Sequence, residues 1–168
     1  MERDIQIHCA LPFLPKLVKQ FLLVFILVLS FGYGVGVLYI SQTSGISPIT
    51  VQENYIGNED DLEAEEMKFK KPEKAILTLV HGHVISFAFI FGFLGFMLMF
   101  SSYSSTLIKF LAIEPLISTV TTFGGVWFIW AGVGWMKYVV ILSGSLMHLS
   151  FLTMVILLGL DLVRKPKA

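Results

Sequence analysis

The chain has 168 residues, of which 55% are hydrophobic and only 14% charged, with 12 basic residues balanced by 12 acidic ones and a single cysteine, Cys9. A soluble domain carries roughly 25% charged residues, and the 15 phenylalanines here would give a soluble fold of this size more apolar surface than it could bury. Zero net charge offers no electrostatic hold on nucleic acid, and one cysteine excludes a disulfide framework and any cysteine-based zinc or iron–sulfur centre.

Four long apolar runs set the architecture, at about 17–40, 75–100, 107–131 and 138–160. Each exceeds the ~20 residues that cross a ~30 Å hydrocarbon core as an α-helix. The reading is all-α: a polytopic membrane protein, residues 1–168 forming one membrane domain of four transmembrane helices in an antiparallel bundle. The first run follows Arg3, Lys16 and Lys19, as a signal peptide's would. Its apolar core from Phe21 to Ile40 is, however, longer than the ~7–15 residues of such a segment, and no small-residue cleavage site follows it. It reads as a retained helix.

The extramembrane segment 41–74 comes next. Ser44-Gly45-Ile46-Ser47-Pro48 and Tyr55-Ile56-Gly57-Asn58 are turn-rich. Glu59 to Lys74 has acids in its first half and lysines in its second, which matches the helix dipole and predicts a short surface helix. Its acids, Glu59, Asp60, Asp61, Glu63, Glu65 and Glu66, fit no calcium-loop spacing and read as a solvated face.

The remaining connections are short, so consecutive helices are antiparallel neighbours and both termini share one side. That side has Arg3, Lys16, Lys19, Lys109, Arg164, Lys165 and Lys167, against Lys68, Lys70, Lys71, Lys74 and Lys137 on the other. The excess places the termini in the cytoplasm and segment 41–74 outside. Trp127, Trp130, Trp135 and Tyr138 cluster where an interfacial aromatic belt belongs.

Helices in a membrane pack through small and polar residues, and advancing about 100° per residue locates those faces. The first helix has Gly32 and Gly36 on one face and Ser30, Gly34 and Ser41 on another. The second has Thr78, His81, Ala88, Gly92 and Gly95 together, with Phe87, Phe91, Leu94 and Met97 elsewhere. On the third, Glu114, Ser118, Thr121, Gly125 and Gly132 form one stripe. The fourth has Gly144, Ser145, His148 and Gly159. Such stripes on every helix predict a compact bundle, with Gly32, Gly36, Gly92, Gly95, Gly125 and Gly144 as packing positions.

His81, Glu114 and His148 lie on those stripes, and an ionisable residue inside a membrane is a functional candidate by default. Two histidines from two helices could hold haem b. His148 would pair with His81 or His83, which stand about 200° apart and so cannot share a cavity. In general architecture a histidine-bearing four-helix membrane protein is similar to membrane b-type cytochromes, though no motif carries residues over. Glu114, with Ser118 and Thr121 or with His148, could instead carry protons. No nucleophile–base arrangement, phosphate loop or nucleotide fingerprint is present. With no catalytic residues and no metal ligands to name, the sequence reads as a non-catalytic subunit or accessory of a larger membrane complex. Its partners are the lipid bilayer and a membrane protein or a second copy; electron transfer through haem and proton conduction through Glu114 are the alternatives.

Overall fold

The computed structural model of the protein describes residues 11–43, 45, 47–61, 63–64 and 66–164. Of the residues singled out from the sequence, Arg3, Cys9, Ser44, Ile46, Glu65, Lys165 and Lys167 lie outside the described residues. A 3-10 turn at Leu11–Phe13 precedes α1 (Lys16–Thr43), α2 (Pro48–Ile56), α3 (Glu73–Leu98), α4 (Ser105–Trp130) and α5 (Met136–Val163). Among the described residues there is no strand.

Helices α1, α3, α4 and α5 are each long and apolar enough to cross a membrane. At 26 residues, α3 and α4 are each about 39 Å long. One end of the bundle, the terminal face, gathers the start of α1, the α3–α4 turn and the end of α5, where Lys19 Nζ donates to the Arg164 carbonyl at 3.3 Å. The other end, the loop face, has segment 44–72 and the α4–α5 turn.

The short helix of the loop forms at Pro48–Ile56, not over Glu59–Lys74 as the charge pattern suggested. Ser47 caps it by accepting from the Thr50 N–H at 3.1 Å, with Pro48 in the first turn; both are strong local start signals. Val51 and Tyr55 lie one turn apart, are buried, and pack with Ile76, Val126, Ile129 and Val140. The Glu59–Lys74 stretch has no such apolar pair, and its backbone runs back along α2 instead. Asn58 Nδ2 donates to the Glu66 carbonyl at 3.0 Å and Asn58 Oδ1 accepts from the Lys68 N–H at 2.6 Å. Gly57 ends α2 with φ +83°, and a Cβ there would meet the Lys68 carbonyl oxygen at 2.7 Å. Only glycine fits both the conformation and the approach.

Packing is tightest among α3, α4 and α5. The buried face of α3 is Ile76, Phe91, Leu94, Gly95, Met97 and Leu98. This reverses the sequence expectation: Thr78, His81, Ala88 and Gly92 are exposed. Lipid tails are as apolar as leucine, so large side chains gain by burial only when they fit a neighbour, and dispersion rather than water exclusion decides the face. Phe91 fits: its ring meets Phe151 edge-on at 6.4 Å. Close approach nevertheless occurs at a few small residues. A Cβ on Gly95 would lie 3.3 Å from Ala112 Cα, on Gly125 2.6 Å from Val140 Cγ2, and on Gly144 3.7 Å from Thr122 Cγ2.

Helix α1 is set apart. Leu22 and Ile26 are its buried residues, and Phe25 meets Phe93 edge-on at 5.0 Å. Beyond Tyr33 it is uncovered, and a Cβ on Gly32, Gly34 or Gly36 would meet nothing within 4 Å among the described residues. Gly92 is equally open. Among the described residues, a neighbour comes within 4 Å of such a Cβ at Gly95, Gly125 and Gly144 but not at Gly32, Gly36 or Gly92.

Candidate functional site

Pro115 lies inside α4 and is buried. It cannot donate a backbone hydrogen bond, and the helix keeps its polar side chains busy on either side of it. Glu114 accepts from Ser118 Oγ, one turn along α4, at 2.5 Å and from Ser150 Oγ of α5. Thr119 Oγ1 donates to the Pro115 carbonyl at 2.7 Å and lies 3.5 Å from Met147 Sδ. One turn nearer the loop face, Thr122 Oγ1 and Ser143 Oγ share a hydrogen bond of 2.7 Å. These contacts run up the α4–α5 seam as a ladder of carboxyl, thioether and hydroxyl groups. Thr121, expected among them, points away and bonds the Ile117 carbonyl at 2.9 Å.

The histidines do not converge. His148 Nδ1 shares a 3.2 Å hydrogen bond with the Tyr33 hydroxyl, and its ring stacks on Tyr33 at 5.3 Å. Tyr33 also stacks on Phe151 of α5, nearly parallel at 3.7 Å. His83 Nδ1 is 2.9 Å from the Leu79 carbonyl; a carbonyl only accepts, so Nδ1 has the hydrogen. Its ring lies against Phe87 and Phe123 at 6.1 and 4.8 Å. From His83 to His148 the ring contacts pass through Phe87 and Tyr33, which meet edge-on at 6.1 Å. His81 is exposed on α3.

Sequence reasoning missed a buried acid near the end of α5. Asp161, 1% exposed, accepts from the Ser102 N–H at 2.8 Å and from Ser102 Oγ at 2.7 Å. Arg164 Nη1 stands 3.7 Å from the same carboxylate and donates to Ser102 Oγ at 3.0 Å. Nearby, Tyr103 Oη donates to the Leu157 carbonyl at 3.1 Å. Burial, then the charge of Asp161, raises the Tyr103 pKa, partly opposed by Arg164. Asp161 is the final acid of an apolar run, and the i, i+3/i+4 series Ser143, Met147, Ser150, Met154, Leu158 and Asp161 marks its face.

On the loop face, Trp130 Nε1 donates to the Lys71 carbonyl at 2.7 Å and Lys137 Nζ to Gln52 Oε1 at 2.7 Å. Lys70 lies 4.8 Å over the Trp130 ring and Lys71 5.3 Å over Tyr55. Burial, with Lys68 nearby, holds the Lys71 ammonium below the usual lysine range. Among the described residues no group of three His, Cys, Asp or Glu side chains is placed to hold a metal ion.

Four apolar spans, polar side chains turned onto helix seams and an aromatic loop face define a polytopic helical membrane protein. The model of the family Aq_1264_TM, a transmembrane helical domain, matches residues 45–168, and the chain belongs to that family. The matched residues contain α2, α3, α4 and α5. No curated protein and no solved structure matches the chain.

Proposed function

We propose that the protein is a non-catalytic, membrane-embedded component of a larger membrane assembly, with α1 as the element that meets its partner. What supports this reading is the contrast between the two halves of the molecule. The polar side chains of α4 and α5 are spent on each other, at Glu114–Ser150 and Thr122–Ser143. On either side of Tyr33, α1 offers Gly32 and Gly36, one turn apart on one face, with nothing within 4 Å of a Cβ at either among the described residues, a surface on which another helix can approach closely. In this reading the termini lie in the cytoplasm, on the side favoured by lysine and arginine.

The test is a comparison of the tagged chain with its Gly32→Leu/Gly36→Leu variant, both extracted in mild detergent. A Cβ at either position meets nothing within 4 Å among the described residues, so melting should change little. A partner or second copy held in fixed ratio by the wild type and lost by the variant is the expected result. A lone 18.8 kDa chain in both preparations would overturn the reading.

Proton conduction is the second reading, favoured by the placing of Glu114 between two hydroxyls on a polar seam. Glu114→Gln should then abolish proton flux in proteoliposomes, and unaltered flux would sink it. Haem between His148 and His83 or His81 has less behind it, because Tyr33 and Phe87 link the first two rings and His81 is exposed. Oxidised and reduced visible spectra of the purified protein test it directly.

A further inference from the structure

Where α1 separates from α3 near the loop face, a cleft of about 530 Å³ opens, within the roughly 300–1,000 Å³ of small-ligand sites. Pro72, Ala75 and Leu79 form its apolar walls, with Tyr39 of α1 opposite. His83 also lines it, nine residues beyond Lys74 and therefore about 14 Å deeper along α3. The ring contacts between α1 and α3, Tyr33–Phe87 and Phe25–Phe93, lie on the far side of His83 from Lys74. The cleft thus runs from the membrane interface toward the bilayer centre, flanked by two spanning helices.

Its charge is concentrated at one end. Lys74 lines the cleft, and among the described residues its ammonium has no hydrogen-bonded or ion-paired partner. Thr78 cannot serve, since its hydroxyl donates to the Lys74 carbonyl at 2.8 Å. Glu73 is exposed and is not part of the lining. Lys68, Lys70 and Lys71 lie just before it in the chain, with the Lys70 and Lys71 ammoniums over the Trp130 and Tyr55 rings and Glu59 beside the Lys70 backbone. A cation at headgroup height above an apolar trench is the complement of one molecule class: an anion attached to a hydrocarbon chain.

We propose that this cleft is a specific site for an anionic phospholipid, its phosphate at Lys74 and one acyl chain laid along Ala75 and Leu79 toward His83. The site does not depend on whether the protein works as an assembly subunit.

Native mass spectrometry of the full chain in detergent, titrated with phosphatidylglycerol and with phosphatidylcholine of the same acyl chains, tests it. One saturable phosphatidylglycerol is expected, bound at least about five-fold more tightly than phosphatidylcholine. Lys74→Ala should weaken phosphatidylglycerol by about five-fold and remove the preference, while Lys109→Ala, on the terminal face, leaves it intact. Leu79→Trp fills the trench without altering charge and should abolish the bound lipid; Ala75→Phe does the same if Leu79→Trp melts abnormally. Equal affinity for both lipids would overturn the site. So would equal losses from Lys74→Ala and Lys109→Ala, lipid retained by both filled variants, or a neutral quinone bound equally by wild type and Lys74→Ala.

Discussion

Glu114 of α4 and Ser150 of α5 are joined by a hydroxyl–carboxyl hydrogen bond across 36 residues of sequence, inside the membrane. With Ser118 on the same carboxyl, both oxygens of a costly group are engaged. Interhelical hydrogen bonds of this kind contribute on average about 0.6 kcal/mol and at most about 1.7. Ser150→Ala should therefore lower unfolding stability in bicelles by about that much, toward the upper end. Ser118→Ala, which removes a bond within one helix, should cost less; equal losses would show that the seam gains nothing from the bond.

The close approach at Gly125 gives a sharper contrast. A Cβ there would lie 2.6 Å from Val140 Cγ2, a stiff branched side chain, whereas a Cβ on Gly92 meets nothing. Gly125→Ala should destabilise by about 1–3 kcal/mol through overpacking. Gly92→Ala should be neutral or slightly stabilising, because alanine favours a helix by about 1 kcal/mol over glycine. Thermal unfolding of the two variants side by side decides it.

At the terminal face, Asp161 fastens the α3–α4 turn to the end of α5 through Ser102. Asp161→Ala strands the Ser102 N–H, and an unsatisfied buried donor costs about 1–3 kcal/mol. Asp161→Asn keeps an acceptor and should cost less. Amide exchange at residues 99–104 is expected to quicken in Asp161→Ala before global stability falls; unchanged exchange there would show that the turn holds itself.

How far the sequence reaches is itself informative. The spans are legible because length and hydropathy are properties of a single helix: the run at 107–131 and the helix Ser105–Trp130 differ by one turn or less. Glu114 and Ser118 are legible because polarity in an apolar run stands out. The buried face of α3 is not, since Phe91 and Phe89 have the same chemistry and only the shape opposite, supplied by Phe151 of α5, separates the buried ring from the lipid-facing one. Ser150 and Asp161 stay hidden for a related reason: each is defined by a partner on another element. The loop helix at Pro48–Ile56 has a Ser47-Pro48 start, but the turn-rich residues at both its ends conceal it, whereas the charge gradient of Glu59–Lys74 imitates a helix.

Tyr103 links the same corner to pH. Its neutral hydroxyl donates to the Leu157 carbonyl, and burial with Asp161 nearby raises its pKa above 10.0. A raised folded value means that the unfolded chain loses this proton first. The stabilisation is full below pH 10.0, falls from there, and is gone once the raised value is passed. The stability advantage of wild type over Tyr103→Phe should accordingly be constant at neutral pH and shrink only in alkali. An advantage independent of pH up to the alkaline limit would contradict this.

The contact between Tyr33 and His148 joins residues 115 apart in the sequence. Because α1 is made before α5, the Phe151 and His148 surfaces that Tyr33 meets are absent when α1 enters the bilayer, and only its α3 contacts at Phe87 and Phe93 can form earlier. Its exposed coat of Phe21, Leu27, Phe31 and Leu38 suits lipid and the Ser30 hydroxyl bonds the Ile26 carbonyl of its own helix, which leaves the Tyr33 hydroxyl as the group whose partner, His148, comes late. The contacts of Tyr33 with α5 thereby follow those that α1 can make with α3.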